Sequence, residues 1–217
     1  MFDLDNTLYP AGADLWPKID NRITVFMSNL FGIDGLSSRA LQKYYYRRYG
    51  TTLRGLMDEY GVCAEDFLRF VHDIDRSSIE TNHTLAAAIA ALPGRKLILT
   101  NGSRDHALRT AERLGVAALF EDIFDIAAAD FTPKPHARTF DMFFDKHGVD
   151  PRSSAMFEDI AHNLLVPHER GMTTVLIAPH ADNQAAMEEW TTQIERQAHI
   201  DFVTDDLTIF LERVAAT

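Results

Sequence analysis

From about residue 82 onward, short apolar runs alternate with amphipathic stretches, and this constrains the fold of the 217-residue chain more than any other feature. The runs are KLIL, IFDIAAA, SAMFED, TTVLIA and HIDFV. Between them lie segments with apolar residues at helical spacing, over 103–114, 136–147 and 161–170. A helix over 85–92 precedes the series and stops at Pro93-Gly94, and a last helix directs Leu207, Phe210, Leu211 and Val214 inward. Short buried strands joined by helical crossovers predict a parallel sheet with helices on both faces, a Rossmann-like α/β core.

Residues 13–81 have a different texture, helical and punctuated by turns. Ile19, Ile23, Phe26, Met27 and Leu30 recur at helical spacing, with Asp14 placed to cap the start and Gly32 to end the helix. Pro17 falls in the first turn, where a missing N–H costs little. Ser37 or Ser38 can open a second helix and Thr52 a third, while Phe67, Phe70, Val71 and Ile74 mark a fourth. The expected organisation is an α/β core made of residues 1–12 and 82–217, with a helical insertion over 13–81. Cys63, the only cysteine, reads as a small core residue; it excludes an intrachain disulfide and suits a reducing cytoplasm. A formal net charge of −11 argues against sequence-independent binding to a nucleic-acid polymer. No run approaches the roughly 18 apolar residues of a membrane span, and no basic segment leads an apolar one. A cytoplasmic protein without a membrane partner is expected.

Four features fall where an open parallel sheet places its ligands, beyond the carboxyl ends of strands. These are Asp3 and Asp5, Thr100-Asn101-Gly102, Lys134, and Glu158-Asp159. Each alone is commonplace as a turn, a helix cap or a surface charge. Together they fit one reaction. Asp3 can attack phosphorus and form an aspartyl phosphate, while Asp5 protonates the leaving alkoxide and then deprotonates water. Carboxylates so close repel, so a divalent cation is expected between them and Asp159; Mg²⁺, with its preference for a few carboxylates, waters and a phosphate oxygen, matches the inventory. Thr100 offers a hydroxyl, Gly102 lets backbone N–H groups approach a phosphate, and Lys134, between two prolines in TPKP, offsets the shared negative charge.

These strings resemble the haloacid dehalogenase superfamily of phosphatases along nearly the whole chain: DLDNT, LTNG, the KP of TPKP and FEDIAHNL stand for its four motifs, and the helical insertion for its cap. The resemblance implies Asp3 as nucleophile, Asp5 as acid/base, and Mg²⁺ held by Asp3, the Asp5 backbone carbonyl and Asp159. Glu158 would assist closely or through water, Asn163 would stand behind it, and Thr100, Asn101 and Lys134 would hold the phosphate. The true dehalogenases of this superfamily lack the second aspartate, so Asp5 points to phosphate hydrolysis. DLDNTLYP, YYRRYGTTLRGL, LPGRKLILTNGS and GMTTVLI further resemble the pyrimidine 5′-nucleotidase branch, which implies a nucleoside monophosphate such as UMP, CMP or dTMP.

Within the insertion, Tyr46, Arg47, Thr51 and Arg54 are candidate substrate contacts; tyrosines can stack on a base and arginines meet its polar groups. No role follows from the sequence for Gly55. The nine histidines form no close metal-ligand pattern and supply no competing site. A general phosphatase of small metabolites is the alternative. A phosphoacceptor signalling domain uses similar acids but lacks a helical insertion after the first pair, and a silent binding protein would not need the full acid, threonine and lysine set. Met1 and Phe2 supply only the last rungs of the strand that should carry Asp3, so an apolar run preceding Met1 is expected in the intact protein.

Overall fold

The computed structural model describes residues 1–179 and 197–216; residues 180–196 and 217, assigned to the core from sequence, lie outside them. Among the described residues five short strands carry the core: β1 (Leu97–Leu99), β2 (Asp122–Phe124), β3 (Ala155–Glu158), β4 (Thr173–Ile177) and β5 (Phe202–Thr204). All pairings are parallel, β1 with β2, β3 with β4 and β4 with β5. Phe2 joins the two groups, bridging Ile98 on one side and Phe157 on the other. Its N–H donates to Leu97 O and its carbonyl accepts from Leu99 N, both at 2.9 Å, and Asp3 N donates to Phe157 O at 2.9 Å. One rung therefore closes a sheet in the order β2, β1, Phe2, β3, β4, β5. The Phe2 ring stacks on Phe157 at 4.5 Å and meets Phe120 edge-on, a burial that stabilises by about 1.5–3 kcal/mol.

Alternation along each strand divides the core into two layers. Ile98, Ile123, Phe157 and Val175 join one cluster with Phe2 and Leu4, under α5 (His83–Ala91), α6 (Arg104–Leu114) and α9 (Leu207–Ala215). Their neighbours Leu97, Leu99, Phe124, Met156 and Leu176 join the other, under α7 (Ala137–His147) and α8 (Leu165–Glu169). Residues that look uniformly apolar in sequence thus serve opposite faces.

The cap consists of α1 (Leu15–Phe31), α2 (Gly35–Tyr49), α3 (Thr52–Tyr60) and α4 (Ala64–Val71), around Met27, Tyr45, Leu56 and Phe67. Ile126, in the loop after β2, joins this cluster and Phe131 packs on it, so the cap rests on a core loop. Gly55 now has a role: a Cβ there would come 2.4 Å from Tyr45 Cδ1 and 2.8 Å from Tyr49 Cδ2, so only glycine admits this approach of α3 to α2.

Several local expectations are corrected. Asp14 does not cap α1 with its side chain; its φ of 58° ends a preceding turn of 3-10 helix, and its Oδ2 lies 3.9 Å from Lys18 Nζ. Asp34, rather than Ser37 or Ser38, opens α2, because its Oδ1 accepts from Leu36 N and Ser37 N at 2.9 and 3.0 Å. Thr51, not Thr52, caps α3, accepting from Arg54 N at 3.2 Å, while Thr52 is buried and donates to Gln42 O. Cys63 is exposed at the start of α4 rather than in the core. In α9, Leu207 and Leu211 are buried but Val214 is 44% exposed, because the last turn runs past the edge of the core. No helix among the described residues is long and apolar enough to cross a membrane.

Candidate active site

The four sequence features converge at one end of the sheet. Phe2 and Leu4 bury in the core, which leaves Asp3 and Asp5, at the alternate positions, facing a cavity of about 210 Å³ between core and cap. The chain then turns back, with Leu8 N donating to Leu4 O at 3.0 Å and Asn6 in the left-handed region at φ 59°, which asparagine tolerates better than most residues. Lys134 Nζ donates to Asp3 Oδ1 at 2.6 Å, Glu158 Oε1 at 2.7 Å and Leu99 O at 3.0 Å. All three of these charged side chains are buried.

Glu158 is an anchor. Its Oε1 also accepts from Asn163 Nδ2 at 2.6 Å, and its Oε2 accepts from Ile160 N at 2.8 Å. Asn101 Oδ1 accepts from Lys134 N at 2.8 Å and its Nδ2 donates to Lys134 O at 3.3 Å, so this side chain pins the lysine loop beside the cavity that Asn101 lines. Thr100 Oγ1 accepts from Gly102 N at 2.9 Å, leaving its own proton to donate. A Cβ on Gly102 would lie 3.2 Å from His106 Cδ2 and 3.3 Å from Thr100 Oγ1, tighter than ordinary contact, so glycine keeps this approach unstrained.

The electrostatics of the cluster are unbalanced. Burial lifts the Asp3 carboxyl to about 7 although Lys134 opposes it. Asp159 is pushed well above the carboxylate range, first by burial and then by Glu158 and Asp3. Lys134 is raised because its two acid partners outweigh its burial. Oxygens of Asp3, Glu158 and Asp159 lie within 4.8 Å of one another, and Asn6 Oδ1 is buried without a partner beside them. Three acids around one ammonium group, all oxygen donors, fit a hard divalent cation. Asp3, Glu158 and Asp159 can each offer one oxygen to such an ion, and both Glu158 oxygens also accept hydrogen bonds.

Sequence reading missed the surroundings of Asp5. Tyr9 OH donates to Asp5 Oδ1 at 2.5 Å, and His106 Nε2 stands 2.9 Å from the same oxygen. Burial alone would raise the Asp5 carboxyl, but His106 and Tyr9 outweigh it and hold it at about 2. Behind His106 lie His72, stacked at 4.4 Å, and Arg76, whose Nη2 is 2.9 Å from His106 Nδ1. No pattern in the sequence brings His72 and His106 together behind Asp5. They stand far apart in sequence and form no motif; the one local signal was His106, three residues after the Ser103 that caps α6.

On the cap side, Tyr46, Arg47 and Thr51 line the cavity, but Arg54 does not; its Nε donates to Asp58 Oδ2 at 3.0 Å along α3. Trp16, Ile23, Phe67 and Val71 supply apolar wall. Gln42 crosses it, donating to Asp20 Oδ1 at 2.6 Å and accepting from Thr24 at 2.8 Å.

Residues 1–166 match the family of haloacid dehalogenase-like hydrolases. The chain belongs to that family. Its similarity to Phosphate metabolism protein 8 of Saccharomyces cerevisiae is 26% identity over 175 residues, covering 73% of this chain and 54% of the yeast protein, so the chain spans about half the length of that relative. The haloacid dehalogenase-like fold recurs in a HAD phosphatase from Thermococcus onnurineus (14% identity, TM-score 0.64, 98% of this chain and 95% of that one). It recurs also in CbbY from Rhodobacter sphaeroides in complex with phosphate (16%, 0.60, 94% and 92%) and in L-2-haloacid dehalogenase from Xanthobacter autotrophicus (16%, 0.58, 98% and 96%).

Proposed function

We propose that this haloacid dehalogenase-like hydrolase is a Mg²⁺-dependent phosphomonoesterase that works through an aspartyl phosphate on Asp3, with a pyrimidine nucleoside 5′-monophosphate as substrate. The observation that carries the reading is the second acid: Asp5 faces the same cavity as Asp3 and sits over the Thr100–Gly102 loop. A hydrolase that displaced halide from carbon would have no leaving oxygen to protonate.

Lys134 occupies Oδ1 of Asp3, which leaves Oδ2 to attack phosphorus as the ester P–O bond breaks. Asp5 gives its proton to the departing alkoxide and takes one from the water that then attacks the aspartyl phosphate, releasing inorganic phosphate and restoring Asp3. Asp5 is ionised in the free site; a phosphate dianion arriving on the Thr100 loop is a like charge beside it and raises its affinity for the proton it needs. Lys134 and the free Thr100 hydroxyl balance charge on the phosphoryl oxygens. Asp3, Asp159 and the Asp5 carbonyl would hold Mg²⁺, which would neutralise the negative charge that these carboxylates share with the phosphate.

The names of the yeast relative and of two of the similar structures refer to phosphate or phosphatase, which supports the reaction class. The cavity supports the substrate: an aromatic and apolar wall from Trp16 and Phe67, with Arg47 on the same lining, suits a planar base. The test is a panel of pyrimidine nucleotides, purine nucleotides and sugar phosphates, each with and without Mg²⁺. Preference for UMP, CMP or dTMP and loss of turnover on chelation are expected. Equal rates across the panel would reduce the reading to a general phosphatase of small metabolites, and undiminished turnover after chelation would refute the metal.

A further inference from the structure

We infer that His106 and Tyr9 are positioning residues that grip Asp5 by Oδ1, so that Oδ2 alone carries the proton to and from the reacting phosphate. The inference rests on the acid/base role proposed for Asp5 and assigns that role to one atom.

Both donors meet on Oδ1, Tyr9 OH at 2.5 Å and His106 Nε2 at 2.9 Å. The direction of the histidine bond follows from its other nitrogen. Arg76 Nη2 lies 2.9 Å from His106 Nδ1, and a guanidinium group only donates. Nδ1 therefore accepts, and the ring hydrogen on Nε2 donates to Asp5. The ring is completely buried and cannot tilt away. His72 stacks on it with an 11° angle between the planes, and His72 Nδ1 is held 2.9 Å from Ser103 Oγ, the hydroxyl that caps α6 below His106 N. His72 and Arg76 belong to the segment that leads out of the cap, so cap and core together fix the imidazole.

Oδ2 has a different environment. No hydrogen-bond donor reaches it among the described residues, and a Cβ built on Gly102 would come 3.8 Å from it and 3.3 Å from Thr100 Oγ1. It thus faces the space over the phosphate-binding loop. In the first half-reaction the Oδ2–H bond breaks and the proton goes to the ester oxygen as the P–O bond breaks and Asp3 Oδ2 bonds to phosphorus. In the second, Oδ2 accepts a proton from the water whose oxygen attacks phosphorus as the Asp3–phosphate bond breaks. A carboxylate free to rotate would present either oxygen at a varying angle; the double donor removes that freedom.

The test compares kcat/KM on an alkyl monophosphate, whose leaving group needs a proton, with that on p-nitrophenyl phosphate, whose leaving group does not. In His106→Leu the alkyl-to-aryl ratio is expected to fall about tenfold or more, the lower end of what general acid catalysis contributes. His106→Gln, whose side-chain amide can replace the Nε2–H donor, should recover most of it, and Tyr9→Phe should lower the ratio by about threefold, one donor of two being lost. Should His106→Leu fail to fold, Tyr9→Phe and His106→Gln decide between them. Equal losses on both esters, or no rescue by His106→Gln where His106→Leu is folded, would overturn the inference. Asp5→Asn separates the two layers of argument. If it collapses the ratio while the Tyr9 and His106 variants do not, the grip is wrong and the acid/base reading stands; if it leaves the ratio unchanged, both fall.

Discussion

The core and cap walls of the cavity are built on opposite principles. On the core side, Asp3, Lys134 and Glu158 are buried, sit on the ends of strands or the loops after them, and are bonded to one another over sequence separations of 131 and 24 residues. On the cap side the lining comes from helices whose polar groups satisfy each other locally, as Gln42 does with Thr24 and Asp20. The core wall is a charge arrangement that tolerates little change, because removing one member strands another in low dielectric. The cap wall is mostly apolar surface with a few polar edges, and its cost of change is packing. On the proposed reading the contrast makes chemistry and selectivity separable: the first would belong to strand ends, the second to helix faces.

The largest expected effect is on the core. Asp3→Asn should lower turnover by at least ~10³-fold, since the proposed nucleophile is lost, with the far-UV spectrum retained; residual activity near that of the parent would show that the core wall is not the chemical one. Lys134→Met should come next. It leaves Asp3 and Glu158 buried without their cation, a loss of about 3–5 kcal/mol measured by denaturant unfolding, and it should be smaller with Mg²⁺ present; a loss under 1 kcal/mol would mean that the acids are already protonated and the cluster is not an ionic one.

Cap changes should be smaller and of another kind. Gly55→Ala forces a Cβ against Tyr45 and should destabilise by about 1–3 kcal/mol through overpacking, read in thermal unfolding, while turnover of a small aryl phosphate per folded molecule stays within severalfold of the parent. Abolished turnover in a folded sample would couple the walls more tightly than the geometry implies. Thr51→Ala removes the side-chain cap of α3 and should cost about 1 kcal/mol. No change at all would mean that the hydroxyl faces the cavity in solution instead.

The difference between the walls also explains what could be read in advance. Asp3, Asp5, Lys134, Glu158 and Asp159 were legible because a parallel sheet delivers whatever follows each strand to one edge, so linear order is enough to bring them together. Asn163 was legible in the same way, five residues beyond Glu158 on the turn that strand β3 leads into. Asn101 was legible as a member of the site, but nothing in LTNG says that its amide closes on the Lys134 backbone. Arg54 was drawn into the site by its neighbours in YGTTLRGL, but helical periodicity turns it toward Asp58, four residues on.

Sequence by itself determined the two textures, the parallel core, the helical cap and the strand-end acids, because hydrophobic period and crossover geometry are local properties of the chain. Only the tertiary structure decided that a single rung at Phe2 joins β1 to β3, and that Asp5 is gripped by Tyr9, four residues away, and His106, one hundred and one residues away. The physical reason is the same in both cases. A hydrogen bond between distant residues leaves no period in the sequence; it exists only once burial has excluded water and left each donor one acceptor within reach.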